Sequence, residues 1–511
     1  MKIPLRGLAL AMAVASLSLA LPALAQDVAS FEKRIKVETL DNGLTLIVME
    51  RPEAPVFSFF THVDAGSTQE FAGQTGLAHM FEHMAFKGTD IIGTTNYAEE
   101  KKALAKVEVT YHAYDIERRM LARHDDAKVA ALEKAWKDAI VEADTFVVKN
   151  EFGEIVEREG GVGLNAGTSS DETVYFYSFP ENRIELWAYL ESERFLKPVM
   201  REFYKERDVV FEERRMRIES NPIGRLVEQF LAASFTAHPY GWAGIGWPSD
   251  LKSYSASDAK AFFDTYYVPS NMVVSVVGDV KTDEVIGLAK TYFGRLPKSP
   301  KPEPLRTVEP PQTAERTVVL KDPAQPFYIE GYHRPSTYDP DDAVFAVISD
   351  LMTAGRTSRL YRSLVRDKKI AAAAAGFSGF PGDKYPNLFA FYAVPTPGHT
   401  PAEMQTAIRG EIEKIKTADV TADELKMVKT RAKVNLLRGL ADNQGLANQL
   451  ATAQSRFGDW RQVFRQVDDI DRVDAAAIRR IANATFVESN RTVGIVESTK
   501  MATAPAQGGQ E

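Results

Sequence analysis

Residues 297–312 read PKSPKPEPLRTVEPPQ, a stretch with six prolines and few apolar side chains. Proline locks φ and removes an amide donor, so this stretch suits neither a helix interior nor a central strand. It is expected to run extended, as a semi-rigid linker. That divides the chain nearly in two, and 511 residues are more than one core ordinarily holds. The first part opens at residues 37–48 with an alternating run broken by Asn42-Gly43, a strong hairpin signal. A second β-rich stretch at 56–63 leads through Gly66 to a helical pattern near Thr75. Residues 272–279 form a continuous, largely β-branched run of the kind found in a buried strand. Beyond the linker, 316–320 and 327–332 again read as strands, helical stretches follow, and 491–496 echoes the 272–279 run. The expected fold class is α+β: two similar halves from an internal duplication, each a mixed or antiparallel sheet packed on helices.

Residues 1–25 have a basic start (Lys2, Arg6), an apolar run and a small-residue end at Ala23-Leu24-Ala25. That is the form of a cleaved bacterial signal peptide and points to the periplasm. No later segment approaches 18 uninterrupted apolar residues, so no membrane span is expected once the signal is removed. The expected boundaries are 26–296 for the first domain, 297–315 for the linker, 316–498 for the second domain and 499–511 for a disordered tail. Inside the first domain, residues 97–149 place Leu104, Val107, Tyr111 and Tyr114 on one helical period and Val129, Leu132, Trp136 and Ile140 on another. The pattern predicts an inserted helical hairpin, and its charge density reads as a solvated surface insertion.

Lys and Arg total 62 against 70 Asp and Glu, a net charge of −8, which leaves no basic footprint for nucleic acid. With no cysteine, thiol nucleophiles, disulfides and thiolate metal sites are excluded, and any metal must be held by His and carboxylate. Residues 76–88, GLAHMFEHMAFKG, contain the informative constellation. On a helix His79 and His83 project from one face a turn apart, as a single zinc requires, while Glu82 lies beside them without having to ligate. Zinc lowers the pKa of a water it holds to roughly 7, and a carboxylate in a partly desolvated cleft is a suitable general base for that water. Manganese and cobalt suit the same ligand types. A third ligand is needed, and the charged stretch 206–215 offers Glu206 and Glu213, seven residues apart on one helical face. By spacing alone that stretch is equally an ordinary surface helix laced with ion pairs.

These residues carry a resemblance. The HMFEHMAFKGT segment is similar to the inverted HxxEH zinc motif of the pitrilysin-type metallopeptidases, the inverzincins, which include the mitochondrial processing peptidase. Residues 164–169 with 173–175, the 206–213 run, 238–241, 266–269 and Gly278-Asp279 also match the family's pattern. The resemblance implies two similar halves closing as a clamshell chamber, with one zinc ion held by His79, His83 and Glu213, and with Glu82 as base. Glu206 matches an acidic position that orients a ligand His. The family's gap between the second His and the third ligand is shorter, and the 97–149 insertion accounts for the difference. The resemblance also makes 164–169 an exposed edge strand on which an extended peptide substrate adds, contacted by Asn165 and Ala166.

The second half departs from the pattern. Its counterpart of the zinc helix, residues 343–354, has neither His nor Glu. The family's second half supplies an Arg and a Tyr that hold the substrate and polarise the scissile carbonyl. Arg366 stands for the Arg, but where the Tyr is expected the chain reads alanine from 371 to 375. The resemblance therefore implies a zinc-dependent endopeptidase working as the zinc-carrying subunit of a heterodimer whose homologous second chain supplies the Arg/Tyr pair, with a homodimer or a monomer as the other arrangements. A non-catalytic assembly or scaffold subunit of the same fold is the alternative function.

Overall fold

The computed structural model describes residues 31–120 and 123–499, so the expected signal at 1–25 and nearly all of the expected tail at 499–511 lie outside the described residues. The first half contains strands β1 (Ile35–Thr39), β2 (Thr45–Glu50), β3 (Val56–Val63), β4 (Val162–Thr168), β5 (Thr173–Pro180) and β6 (Met272–Gly278). The helices that matter for the site are α1 (Leu77–Met84), α2 (Tyr97–Arg118), α3 (Asp126–Asp144), α4 (Phe203–Arg214) and α5 (Pro222–Ser234). The second half contains β7 (Arg316–Asp322), β8 (Phe327–Arg334), β9 (Ala371–Phe380), β10 (Asn387–Pro395) and β11 (Arg491–Ser498), with helices α6 (Asp342–Thr353) and α7 (Asn443–Phe457) among its helical layer.

The two sheets repeat one topology. The first runs β1-β2-β6-β3-β5-β4 and the second β7-β11-β8-β10-β9. In each, the late strand (β6 or β11) is parallel to the first of the shared set (β2 or β7) and antiparallel to the next (β3 or β8). The first sheet adds β1, joined to β2 through a turn in which Gly43 takes φ 98°, a region open to glycine. The fold is α+β with two similar halves, the clamshell architecture implied by the resemblance.

Both faces of the first sheet are covered, which explains the unbroken apolar run in β6. Met272, Val274 and Val276 join the core on one side, while Val273 and Val277 join a different cluster on the other. β2 divides in the same way, with Leu46 and Val48 on one face and Ile47 and Met49 on the other. The helix covering that second face is α7, a second-half helix, through Leu446, Ala447, Leu450 and Ala451. The exchange is mutual: α5, a first-half helix, packs Leu226, Phe230 and Leu231 against Phe327, Ile329, Leu388 and Val496 of the second sheet. Phe230 fits because two strand residues beneath it are glycines. A Cβ on Gly331 would lie 2.9 Å from the Phe230 ring, and one on Gly494 would lie 3.2 Å from it. Each such buried side chain contributes about 1.5–3 kcal/mol, so these helices bind the halves together.

The linker is extended and pinned at several points. Glu309 accepts from the backbone N–H groups of Thr236, Ala237 and His238, and Gln312 donates to the Arg491 carbonyl. The hairpin departs from the sequence expectation of a solvated insertion: Val107, Tyr111, Trp136, Ala139 and Ala143 are buried in the first-half core. The reason is an aromatic stack in which Trp136, Tyr111 and Tyr204 of α4 surround the Arg207 guanidinium.

A polar rivet also joins the halves at the β4–β5 turn. Glu172 accepts from His62 Nε2 at 2.7 Å and from Arg456 of α7 at 3.0 Å, and Arg456 also pairs with Asp383. Burial pushes the Glu172 carboxyl up, but His62 and Arg456 outweigh it and hold it down at about 2, against an ordinary 4.5. A carboxyl depressed in the folded state stabilises above its unfolded pKa and loses that contribution as pH falls through the folded one. Denaturant titrations between pH 6 and pH 3 should therefore show roughly 2 kcal/mol more loss for the parent than for Glu172→Gln. Superimposable pH profiles for the two proteins would remove this role.

Candidate metal centre

Helix α1 is fixed at its start before any ligand is considered. Gly76 takes φ 92°, and a Cβ there would lie 2.7 Å from the Ile245 carbonyl, so the position calls for glycine. The Glu70 carboxylate accepts from the Gly76 and Ala78 backbone N–H groups, both at 2.8 Å, satisfying donors that an α-helix leaves free. Burial pushes the Glu70 carboxyl up to about 8, with those two bonds opposing. Leu77, Ala78, Met80, Phe81 and Met84 face the core. The opposite face therefore presents His79, Glu82 and His83 together.

Helix α4 crosses α1 and brings its carboxylates to that face. Glu213 Oε2 lies 3.7 Å from His79 Nε2 and 3.6 Å from His83 Nε2, and one ligand atom from each of the three residues falls within 4.8 Å of the others. Tetrahedral bonds near 2.1 Å place ligand atoms on the order of 3.5 Å apart, so the set fits a zinc ion. The imidazoles are correctly prepared. His83 Nδ1 lies 3.3 Å from Glu206 Oε2, and an N–H donated there leaves the Nε2 lone pair facing Glu213. His79 is lowered to about 3 by burial and by the neighbouring His83 and Arg217, which keeps it neutral, and its buried Nδ1 has no hydrogen-bond partner among the described residues.

Glu82 completes the group. Burial raises its carboxyl, partly offset by the Thr168 hydroxyl, and its buried Oε2 has no hydrogen-bond partner among the described residues. An unsatisfied carboxylate oxygen beside a three-ligand cluster is placed to take a proton. Burial also opposes ionisation of Glu206, but hydrogen bonds from His83 and Lys87 outweigh it and hold the carboxyl below its usual range.

β4 packs against α1 and is the edge strand of its sheet, paired only with β5 among the described residues. Asn165 is exposed on it, its Oδ1 accepting from Ala166 N at 2.9 Å. Among the described residues, Arg366 has no hydrogen bond or ion pair with the cluster. It lies at the end of the turn Tyr361–Asp367, exposed and paired with Asp367 at 2.6 Å. Alanines 371–375 begin β9, which occupies the place in the second sheet that β4 holds in the first. Helix α6 follows β8 as α1 follows β3, and it has no His or Glu.

A family model described as insulinase (peptidase family M16) matches residues 46–114, which include His79, Glu82 and His83, and one described as peptidase M16 inactive domain matches 253–432. Two models of peptidase family M16 thus match separate stretches of this chain. Among curated relatives, the zinc protease PqqE of Helicobacter pylori is 29% identical over 464 residues, covering 89% of this chain and 90% of that protein. A probable mitochondrial-processing peptidase subunit beta of Arabidopsis thaliana is 24% identical over 475 residues, covering 90% and 78%. The crystal structure of a protease from Helicobacter pylori superposes with TM-score 0.75 at 26% identity, covering 91% of this chain and 99% of that one. The periplasmic protease PqqL of Escherichia coli superposes with TM-score 0.66 at 19% identity, covering 93% of this chain and 49% of that one.

Two residues beside the site have no signal in the spacing of the M16 zinc motif. Lys87 pairs with Glu206, and Arg217 Nη2 lies 2.7 Å from Glu213 Oε1. Arg217 is four residues beyond Glu213, so helical spacing brings the two together, and Arg215–Glu219 continue α4 as a wide π-helical turn. A Cβ on Gly224 would lie 2.2 Å from the Arg217 carbonyl, so the following helix can cross that turn only with glycine there.

Proposed function

We propose that the protein is a periplasmic zinc endopeptidase that hydrolyses peptide bonds in extended peptides, with one zinc ion per chain. We read residues 26–296 as its zinc-binding domain and 316–498 as a domain without a metal motif, the signal at 1–25 being removed on export. The observation that carries the reading is the convergence of His79, His83 and Glu213, ligand atoms within 4.8 Å, next to the unpartnered Glu82 oxygen and the edge strand β4. Zinc bound by those three residues supplies a Lewis acid that acidifies water and polarises a carbonyl. Glu82 takes the proton from the attacking water and returns it to the leaving amine as the C–N bond breaks. Glu206 keeps the His83 ring in the tautomer that frees its Nε2. Asn165 and Ala166 receive the substrate as an added strand, so recognition depends on backbone rather than on a folded shape.

The chain is further read as the zinc subunit of a two-chain enzyme. The alanines at 371–375, the exposed Arg366 and the match of 253–432 to an inactive-domain model support a division of labour. So does the likeness to PqqL, of which this chain spans about half. The test is to purify the chain alone and assay an unstructured peptide, with zinc content measured before and after chelation. The expected result is one zinc per chain, weak turnover that chelation removes and zinc restores, and a large gain on adding a homologous chain with an intact Arg/Tyr pair. Full turnover by the single chain would eliminate the two-chain reading, and a chain without zinc would eliminate the peptidase reading.

A further inference from the structure

Lys87 lies just past the end of α1, four residues beyond His83, and its ammonium is shared between two carboxylates of the α4 region. It contacts Glu206 Oε1 and lies 3.3 Å from Glu202 Oε2. The other oxygen of Glu206 is the one that faces His83 Nδ1 at 3.3 Å. Glu206 is therefore held at both ends, its Oε1 by an ammonium and its Oε2 by an imidazole. A carboxylate held through one oxygen alone can swing about its last side-chain bonds, whereas one held through both has a defined direction.

The second carboxylate has its own anchor. Glu202 caps the start of α4 with φ 56°, a backbone region uncommon for a residue with a Cβ. It is 11% exposed, and its Oε1 lies 3.4 Å from Lys205, whose Nζ lies 2.7 Å from Asp144 at the end of α3. The contacts thus run from the inserted hairpin through Asp144, Lys205, Glu202, Lys87 and Glu206 to the His83 ring. Backbone conformations of this kind persist where the surroundings hold them, and here the Glu202 carboxylate lies between Lys87 and Lys205.

We infer that Lys87 is a positioning residue for the metal centre: it aims Glu206 at His83, and the hairpin holds it in place through Glu202. This rests on the reading of His79, His83 and Glu213 as zinc ligands. It also gives the 97–149 insertion a task, the bracing of a ligand from outside the cleft.

The test is zinc affinity of the stripped full-length protein, measured by chelator competition together with thermal unfolding of the metal-free form. Lys87→Met should weaken zinc binding by about 10-fold, within the roughly 10- to 100-fold cost of losing the Glu206 partner itself. Lys87→Arg should recover most of it, and the metal-free unfolding temperature should stay close to the parent's. Asp144→Asn and Glu202→Gln should each weaken binding several-fold, and they carry the test if Lys87→Met does not fold. Parent-like zinc affinity in Lys87→Met, or in both Asp144→Asn and Glu202→Gln if these stand alone, overturns the inference. Equal weakening in Lys87→Met and Lys87→Arg with a matching drop in metal-free stability overturns it too, leaving Lys87 a merely structural residue. A parent that binds no zinc refutes the function proposed above, whereas a zinc-binding parent with an indifferent Lys87→Met refutes this inference alone.

Discussion

Glu82→Gln should retain zinc at the parent's stoichiometry and lose peptide hydrolysis by about 10²- to 10⁴-fold, the range a positioned general base contributes. The substitution keeps the shape of the side chain and removes its ability to accept a proton. The proposed ligand atoms belong to His79, His83 and Glu213 rather than to Glu82, so metal content should not change. Stability should not fall either, because burial already disfavours the charged form of Glu82 and the amide is neutral. Metal analysis paired with single-turnover assays separates these outcomes. Hydrolysis within tenfold of the parent would refute the role of Glu82, and loss of zinc would mean that it ligates.

Glu213→Ala should be more severe for the metal. It removes one of the three proposed ligands, so zinc affinity should fall by more than the roughly 10- to 100-fold cost of a supporting residue. Activity should vanish with it, and excess zinc should not restore it fully. The variant also leaves Arg217 without the carboxylate 2.7 Å away, but that guanidinium is largely exposed, so the effect on folding should be small. One equivalent of zinc surviving dialysis in Glu213→Ala would show that the third ligand lies elsewhere.

Much of this site was legible because its first part is local. His79, Glu82 and His83 lie within one helical turn and a fraction, so helix geometry alone puts them on one face. Glu213 is 130 residues beyond His83, and nothing in the spacing of a charged helix distinguishes it from its neighbours. Only the crossing of α4 over α1, or a family resemblance, singles it out. Lys87 was part of the recognised segment but carried no signal of its role, because that role depends on Glu202 and Glu206 arriving from elsewhere. In the fold, the run 272–279 announced a buried strand, and the likeness of the two halves was legible in β-rich stretches at matching places, whereas the strand order within each sheet was not. The amphipathic patterns of α5 and α7 show that each helix buries a face; they do not show which sheet receives it. The helical hairpin and its apolar positions are legible in the sequence, but their burial is not: charges are what a window of sequence displays, while the stack of Trp136, Tyr111 and Tyr204 needs α4 packed against the hairpin.

The mutual packing of α5 and α7 makes neither half self-sufficient. A chain severed at the proline-rich segment would leave Ile47, Met49, Phe60, Val273 and Val277 without their cover, and would leave Phe230 projecting from a fragment that lacks Gly331 and Gly494. Such a fragment could bury those surfaces only by taking a helix from another copy, which is the arrangement of a domain-swapped dimer. Joined in one chain, the two copies exchange helices within the molecule. Each repeat can then diverge, one keeping its histidines and the other losing them, while both remain bound to the same folding transition.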